Sequence, residues 1–380
     1  MWRFIKVVSA ATCSSKPFML MILLQTAYAV NGLVVKSALN KGLNHYTFAV
    51  YRNLIAALFF SPFAFFLERK VRPKMTISIF LKIMLLGLLE PVLDQNLYFG
   101  GMKYTTATFA AAMCNIVPAI TFLMAWLFRL EMVKIKSLHS QGKMIGTLLT
   151  IGGAMAMTLI KGPAIQLIPA PSWKNHHHHP PPTPSNNIQT NSNSQMMMIK
   201  GSLMITAGCF SWATFVILQA VTLKSYPAEL SLTTLVCMMG ALEGSVLAVV
   251  AQRTAAASIS IWAINWDIKL FAAIYSGIMC SGFAYYIFGL VMQERGPVFV
   301  TAFNPLGMII VAIMGSFILA EKLYLGSVVG AMVIVVGLYL VLWGKSKDQI
   351  SQQDQDDQQL NANVVEISEK KSSRGPDEFV

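Results

Sequence analysis

Charge is what this sequence has least of: Asp, Glu, Lys and Arg together make up 12% of its 380 residues, against 55% apolar. Soluble domains carry roughly twice that share of charge, so a water-facing globular fold is excluded and the bilayer is left as solvent. Also missing is a Gly-x-x-x-x-Gly-Lys-[Ser/Thr] loop, which disfavours an ATP-driven pump. The five cysteines, Cys13, Cys114, Cys209, Cys237 and Cys280, form no Cys-x-x-Cys or Cys/His pattern, so no disulfide framework or metal site is expected. No Ser/His/Asp constellation argues for an intramembrane enzyme. The stretch before Lys16 lacks a long apolar core, and the first span from Pro17 reads as an uncleaved signal anchor.

What is present is a series of apolar runs of about 20 residues, the length that crosses ~30 Å of hydrocarbon. Ten can be drawn: 17–36, 45–67, 80–99, 104–128, 143–160, 200–220, 228–251, 269–291, 297–320 and 325–343. The expected fold is therefore an all-α membrane protein of ten transmembrane helices. The net charge of +12 raises nucleic acid as a partner, but the cations sit mostly in short connections between spans, which points to the membrane surface and to no nucleic acid. With the N-terminus inside, the first half puts Arg3, Lys6, Lys16, Arg69, Lys70, Arg72, Lys74, Arg129, Lys134, Lys136 and Lys143 on the cytoplasmic side, against Lys36, Lys41 and Lys103 outside. That asymmetry sets the topology and predicts both termini in the cytoplasm.

Residues 1–16 form a cytoplasmic N-terminus, 17–160 a first five-span half, 161–199 a non-cytoplasmic linker, 200–343 a second half, and 344–380 a cytoplasmic tail. The linker holds His176 to His179, several prolines and an Asn/Ser/Gln run, and with the Gln- and Asp-rich tail it is too polar to bury a core, so both are expected to be disordered. The halves look related. An offset of 184 carries spans one and two onto six and seven, as Pro17 onto Gly201, and the fifth onto the tenth, as Gly146 onto Gly330 and Gly153 onto Gly337. An offset of 190 carries spans three and four onto eight and nine, as Gly87 onto Gly277, Phe109 onto Phe299 and Glu131 onto Glu321. Because five is odd, equivalent halves lie in opposite orientations, the inverted repeat of many secondary transporters, with substrate near midplane where the halves meet.

Ionisable groups inside spans cost ~2.5–3.5 kcal/mol each on insertion scales, so each needs a partner, a cavity or a function. Span three concentrates them: Gly87, Glu90, Asp94 and Tyr98 recur at helical spacing, Gln95 follows, and Pro91 loosens the backbone between the carboxylates. Arg52 in span two lies at a similar depth to Asp94 and is positioned to pair with it, unless either serves substrate or a proton directly. Gln25, Tyr28 and Asn31 in span one, Asn115 before Pro118 in span four, and Asn304 before Pro305 in span nine combine amide groups with backbone carbonyls freed by proline, which suits a polar ligand or helix-to-helix hydrogen bonds. Tyr285 lies in an aromatic group of span eight, with Phe283, Tyr286 and Phe288, that could stack on a planar solute or meet lipid.

The run Leu89-Glu90-Pro91-Val92-Leu93-Asp94-Gln95-Asn96-Leu97-Tyr98, with Tyr104 to Ala110, Asn115-Ile116-Val117-Pro118-Ala119, Ala49-Val50-Tyr51-Arg52 and the closing stretch from Glu321 to Lys345, resembles the plant nodulin-21-like, Walls-Are-Thin-related (UMAMIT) family of EamA-type drug/metabolite transporters. The resemblance covers about residues 15–347, while the His/Pro linker departs from it. It implies two inverted five-helix EamA repeats and movement of amino acids or of the auxin indole-3-acetic acid, at the plasma membrane more than the vacuolar membrane. No cofactor is expected, with proton coupling open; the partners are a small solute and the bilayer, with self-association also open. The rival class is a membrane scaffold that moves nothing, with Arg52, Glu90 and Asp94 sealed in a dry ion-pair network.

Overall fold

A computed structural model describes residues 2–102, 104–105, 113–130, 138–159, 164–165, 188–252, 262, 267–318 and 323–345. Its helices are α1 (Trp2–Asn40), α2 (His45–Leu67), α3 (Ile77–Gly87), α4 (Gln95–Met102), α5 (Val117–Leu127), α6 (Leu138–Leu159), α7 (Ile188–Ser225), α8 (Glu229–Gln252), α9 (Ile268–Tyr275), α10 (Ala284–Arg295), α11 (Pro297–Ala302), α12 (Asn304–Ile318) and α13 (Leu325–Lys345). Two π-helical segments, Leu88–Asp94 and Ser276–Phe283, join α3 to α4 and α9 to α10. Among the described residues the all-helical picture is interrupted only by β1 (Ala164–Ile165) and β2 (Leu323–Tyr324), an antiparallel ladder two residues long.

Local chemistry sets the ends. The side chain of Asn44 accepts from the Tyr46 amide to open α2, that of Thr76 from Ile79 to open α3, and that of Asp267 from Ile268 to open α9, each satisfying an orphan donor of a first turn. Gly42, at φ +81°, turns the chain between α1 and α2, and Gly296, at φ +83°, between α10 and α11, in the left-handed region where glycine pays no steric penalty.

Large apolar side chains cover the outside, among them Leu58, Phe66, Ile77, Leu127, Leu148, Val246 and Met332, while Gln25, Asn31, Arg52, Glu90 and Asn115 are buried. Apolar outside and polar inside is the arrangement a bilayer selects. Seven described stretches are long and apolar enough to cross it: Lys16–Leu39, His45–Leu67, Met196–Ser225, Glu229–Ala251, Ile268–Arg295, Pro297–Met314 and Leu325–Lys345. The chain is thus an integral, multi-pass membrane protein. The expected third, fourth and fifth spans fall outside that set. The third, continuous helix from Ile77 to Met102, carries three charged side chains, Lys82, Glu90 and Asp94. The fourth shows an apolar helix of only 11 residues at α5, and 106–112 lie outside the described residues.

Helix α7 starts at Ile188, inside the stretch read as linker, because once the apolar turns from Met196 are helical the polar turns before them can continue the same hydrogen-bond ladder. His176 to His179, Phe109, Glu131, Glu321 and the tail beyond Lys345 lie outside the described residues.

The two halves exchange partners. Helix α1 packs on α9, α10 and α12, while α7, its counterpart, packs on α4, the first π segment and α5. Helices α2 and α8 pack on each other, and α6 meets α13. The exchange extends to single residues: a Cβ built on Gly87 would stand 3.0 Å from that of Met239, and one built on Gly277 would stand 3.1 Å from that of Ile55. The offsets found in the sequence turn the first contact into the second. Likewise a Cβ on Gly146 would lie 2.6 Å from the Gly337 carbonyl oxygen and one on Gly330 would lie 2.6 Å from that of Gly153. The π segments also correspond, since the offset of 190 carries 88–94 onto 278–284, over the observed Ser276–Phe283.

Candidate substrate site

Pro91 has no amide hydrogen to give, and the first π segment forms around it, ending with the Gln95 amide bonded to the Glu90 carbonyl five residues back. The wider turn frees main-chain acceptors: the Leu89 carbonyl takes a hydrogen bond from Ser211 Oγ of α7 at 2.8 Å. In the second π segment, the Ser281 carbonyl accepts from Cys237 Sγ of α8 at 3.5 Å. Breaks in helical bonding at these depths are tolerated where protein covers them or a polar cavity meets them.

Around these segments the side chains singled out in the sequence converge. Arg52 is 6% exposed and donates from Nε to Ser281 Oγ at 2.6 Å. Its charge lies within electrostatic reach of Tyr28, Glu90, Asp94, Cys237 and Cys280. Glu90 is 2% exposed and both its carboxylate oxygens accept from Gln95 Nε2, at 3.1 and 3.2 Å. Asn31 Oδ1 accepts from Ser276 Oγ at 2.7 Å, and Gln25 Nε2 donates to Asn304 Oδ1 at 3.4 Å. Asn115 Nδ2 donates to Met308 Sδ. Tyr28 Oη, Tyr285 Oη and Gln95 Oε1 are buried without a hydrogen-bond partner among the described residues, an uncommon condition that marks polar capacity in reserve.

The pairing of Arg52 with Asp94 is not what the structure shows. Among the described residues no ion pair within 4.0 Å joins Arg52 to either carboxylate. The expectation rested on matching depth along the spans; the wider π turn brings Asp94 round onto α7, where a Cβ on Gly208 would stand 3.1 Å from Asp94 Oδ1. Glu243 of α8, another in-span carboxylate, is half-buried, with Oε2 unpartnered among the described residues.

Ser276, Cys280, Ser281 and Ser211 were missed by sequence reasoning. A signal existed, because the offset of 190 lays Cys280 and Ser281 over Glu90 and Pro91, the most chemically loaded turn of the first half. The same mapping shows that the cluster is one-sided. Arg52 corresponds to Val236, Tyr28 to Trp212, Asn31 to Phe215, Asp94 to Ala284 and Gln95 to Tyr285. The first half supplies the charges; the second answers with hydroxyls and with aromatic rings, Trp212 stacked on Phe215 at 5.5 Å and Phe215 against Tyr285 at 5.8 Å. Chemically, the arrangement can hold an anionic group at Arg52 and a cationic group or proton at the carboxylates.

The sequence profile of the EamA-like transporter family matches residues 15–159 and again 199–343. Among curated relatives from Arabidopsis thaliana, WAT1-related protein At2g39510 is 52% identical over 93% of this chain and 91% of its own length. WAT1-related protein At2g37460 is 54% identical over 88% and 84%. One solved crystal structure, 12% identical, superposes with a TM-score of 0.60 over 86% of this chain and 98% of its own, a likeness of fold.

Proposed function

The chain belongs to the EamA-like transporter family and, within it, to the WAT1-related proteins, and from that premise of a membrane transporter we propose that it carries small carboxylate-bearing solutes, amino acids first, in both directions by alternating access. The observation that carries this reading is the separation of charge in the cluster. Arg52 and Glu90 are both buried, yet they are bridged to Ser281 and to Gln95 rather than to each other. A buried cation and a buried anion left apart are costly in an apolar interior. A zwitterion resolves that cost, its carboxylate on Arg52 and Ser281 and its ammonium group on Glu90 or Asp94, with Gln25, Tyr28, Asn31, Gln95, Asn115, Tyr285 and Asn304 completing the wall. The ten-crossing, oppositely oriented arrangement of the halves is part of the proposal, supported by the exchange of partners between equivalent helices. So are both termini in the cytoplasm, supported by the cation asymmetry of the first half, and a plasma-membrane location, which the family resemblance implies.

A second reading has its own support. The aromatic side formed by Trp212, Phe215 and Tyr285 suits a planar carboxylate such as auxin, which needs Arg52 but no ammonium partner.

The test is efflux of radiolabelled solute from oocytes preloaded with an amino acid mixture or with auxin, comparing the wild type with Glu90→Gln and Asp94→Asn. Amino acid efflux lost in both variants supports the zwitterion site. Equal efflux by all three proteins removes the site assignment, and no efflux of any solute by the wild type removes the substrate reading.

A further inference from the structure

We propose that Cys114 and Cys209 form an oxidisable clasp between the two halves, a disulfide that holds the transporter closed. Cys209 Sγ of α7 stands 3.8 Å from Cys114 Sγ, which lies three residues before α5 opens, and 3.8 Å from the Met113 carbonyl. Neither cysteine is in a disulfide, they come from opposite halves, and among the described residues neither hydrogen-bonds a member of the substrate site. A disulfide needs its sulfurs at about 2.05 Å, a closure of under 2 Å that small side-chain rotations supply.

The repeat explains why this contact matters. The offset of 184 carries Gln25 onto Cys209, and the offset of 190 carries Cys114 onto Asn304. The thiol contact is therefore the counterpart of the Gln25–Asn304 hydrogen bond at 3.4 Å, the same junction on the other side of the molecule. One junction is an amide pair that can only part and re-form. The other can be made covalent. Cys114 also directly precedes Asn115, so fixing it fixes a wall of the proposed site.

The chemistry balances with hydrogen peroxide, small and membrane-permeant, as oxidant. One thiol attacks the peroxide O–O bond, giving a sulfenic acid and water; the second thiol attacks that sulfur, forming the S–S bond and releasing a second water. The two electrons lost by the sulfurs reduce the peroxide, and a dithiol reverses the bond by exchange.

The effect on transport rests on the function proposed above, so bond formation and transport are read separately. Full-length protein is reconstituted in vesicles loaded with radiolabelled amino acids, treated with hydrogen peroxide, blocked with a permeant maleimide, digested and examined by mass spectrometry. The expected result is a peptide pair linked through Cys114 and Cys209, abolished by dithiothreitol, with efflux reduced by roughly an order of magnitude on oxidation and restored on reduction. Cys114→Ser and Cys209→Ser should transport like the untreated wild type and ignore peroxide; Cys114→Ala serves if the serine variants do not fold. Absence of the linked pair, a linked pair with unchanged efflux, or equal peroxide sensitivity in the variants overturns the proposal. Linkage in a reduced protein that moved no solute beforehand would instead overturn the transport reading and leave the covalent junction standing.

Discussion

Arg52 Nε donates to Ser281 Oγ at 2.6 Å, so the buried cation of the first half is held by a hydroxyl of the second. The approach depends on Gly277, where a Cβ would lie 2.6 Å from the Arg52 carbonyl oxygen. If this contact orients the guanidinium for a carboxylate, Ser281→Ala should raise KM by roughly 10- to 100-fold, the share of one charge-assisted hydrogen bond, with little change in maximal rate. Arg52→Gln should abolish exchange while the protein still reaches the membrane. Tracer uptake together with surface biotinylation measures both.

Glu90 and Asp94 separate the two substrate readings. Glu90→Gln keeps the hydrogen-bonding shape beside Gln95 but removes the charge. Amino acid transport should fall at least about tenfold, the loss expected when a buried ammonium group has no counter-ion. Auxin transport, if present, should persist. Competition uptake with both labelled solutes in one preparation reads the difference.

The junction of α6 with α13 leaves no space for side chains. Gly146→Ala should push against the Gly337 carbonyl, and Gly330→Ala against that of Gly153, each costing about 1–3 kcal/mol as overpacking does. Because the two contacts are equivalents under the repeat, the two losses should be similar. Thermal stability followed by fluorescence-detected gel filtration checks that equality.

Polar bridges at the ends of α2 should differ in value. The Glu68 carboxylate accepts from the backbone amides of Leu230 and Ser231 at 2.9 and 2.6 Å, at the first turn of α8, and Arg72 donates to Ser231 Oγ at 2.9 Å. Glu68→Ala removes a charged cap, a loss of about 0.5–2 kcal/mol. The Lys41–Asp267 pair at 3.9 Å is half-exposed at both side chains, and Lys41→Ala should cost under about 1 kcal/mol. The same melting experiment ranks them.

Much of the membrane architecture was legible in the sequence because a bilayer imposes a coarse rule, about 20 apolar residues per crossing. The runs at α2, α8 and α13 stand close to where they were drawn. The run around Glu90 is harder to read, since three charges dilute it and a proline breaks its periodicity. Site residues were visible as polar letters in apolar text, Gln25, Asn31, Arg52, Glu90 and Asn115 among them. Ser281 was not, because a serine in a span is too ordinary to draw notice until the offset of 190 sets it over Pro91.

By itself the sequence determined that the chain is a multi-pass membrane protein with related halves and which few polar groups its interior must hold, because burial in hydrocarbon and repetition are written in composition and spacing. Only the tertiary structure decided who meets whom: that Arg52 is held by Ser281 and not Asp94, that Glu90 is held by Gln95, and that Cys114 lies against Cys209. The first two of those choices follow from one backbone detail, the i→i+5 turns in equivalent helices. Such turns rotate every side chain beyond them by an amount that helical spacing in the sequence does not encode.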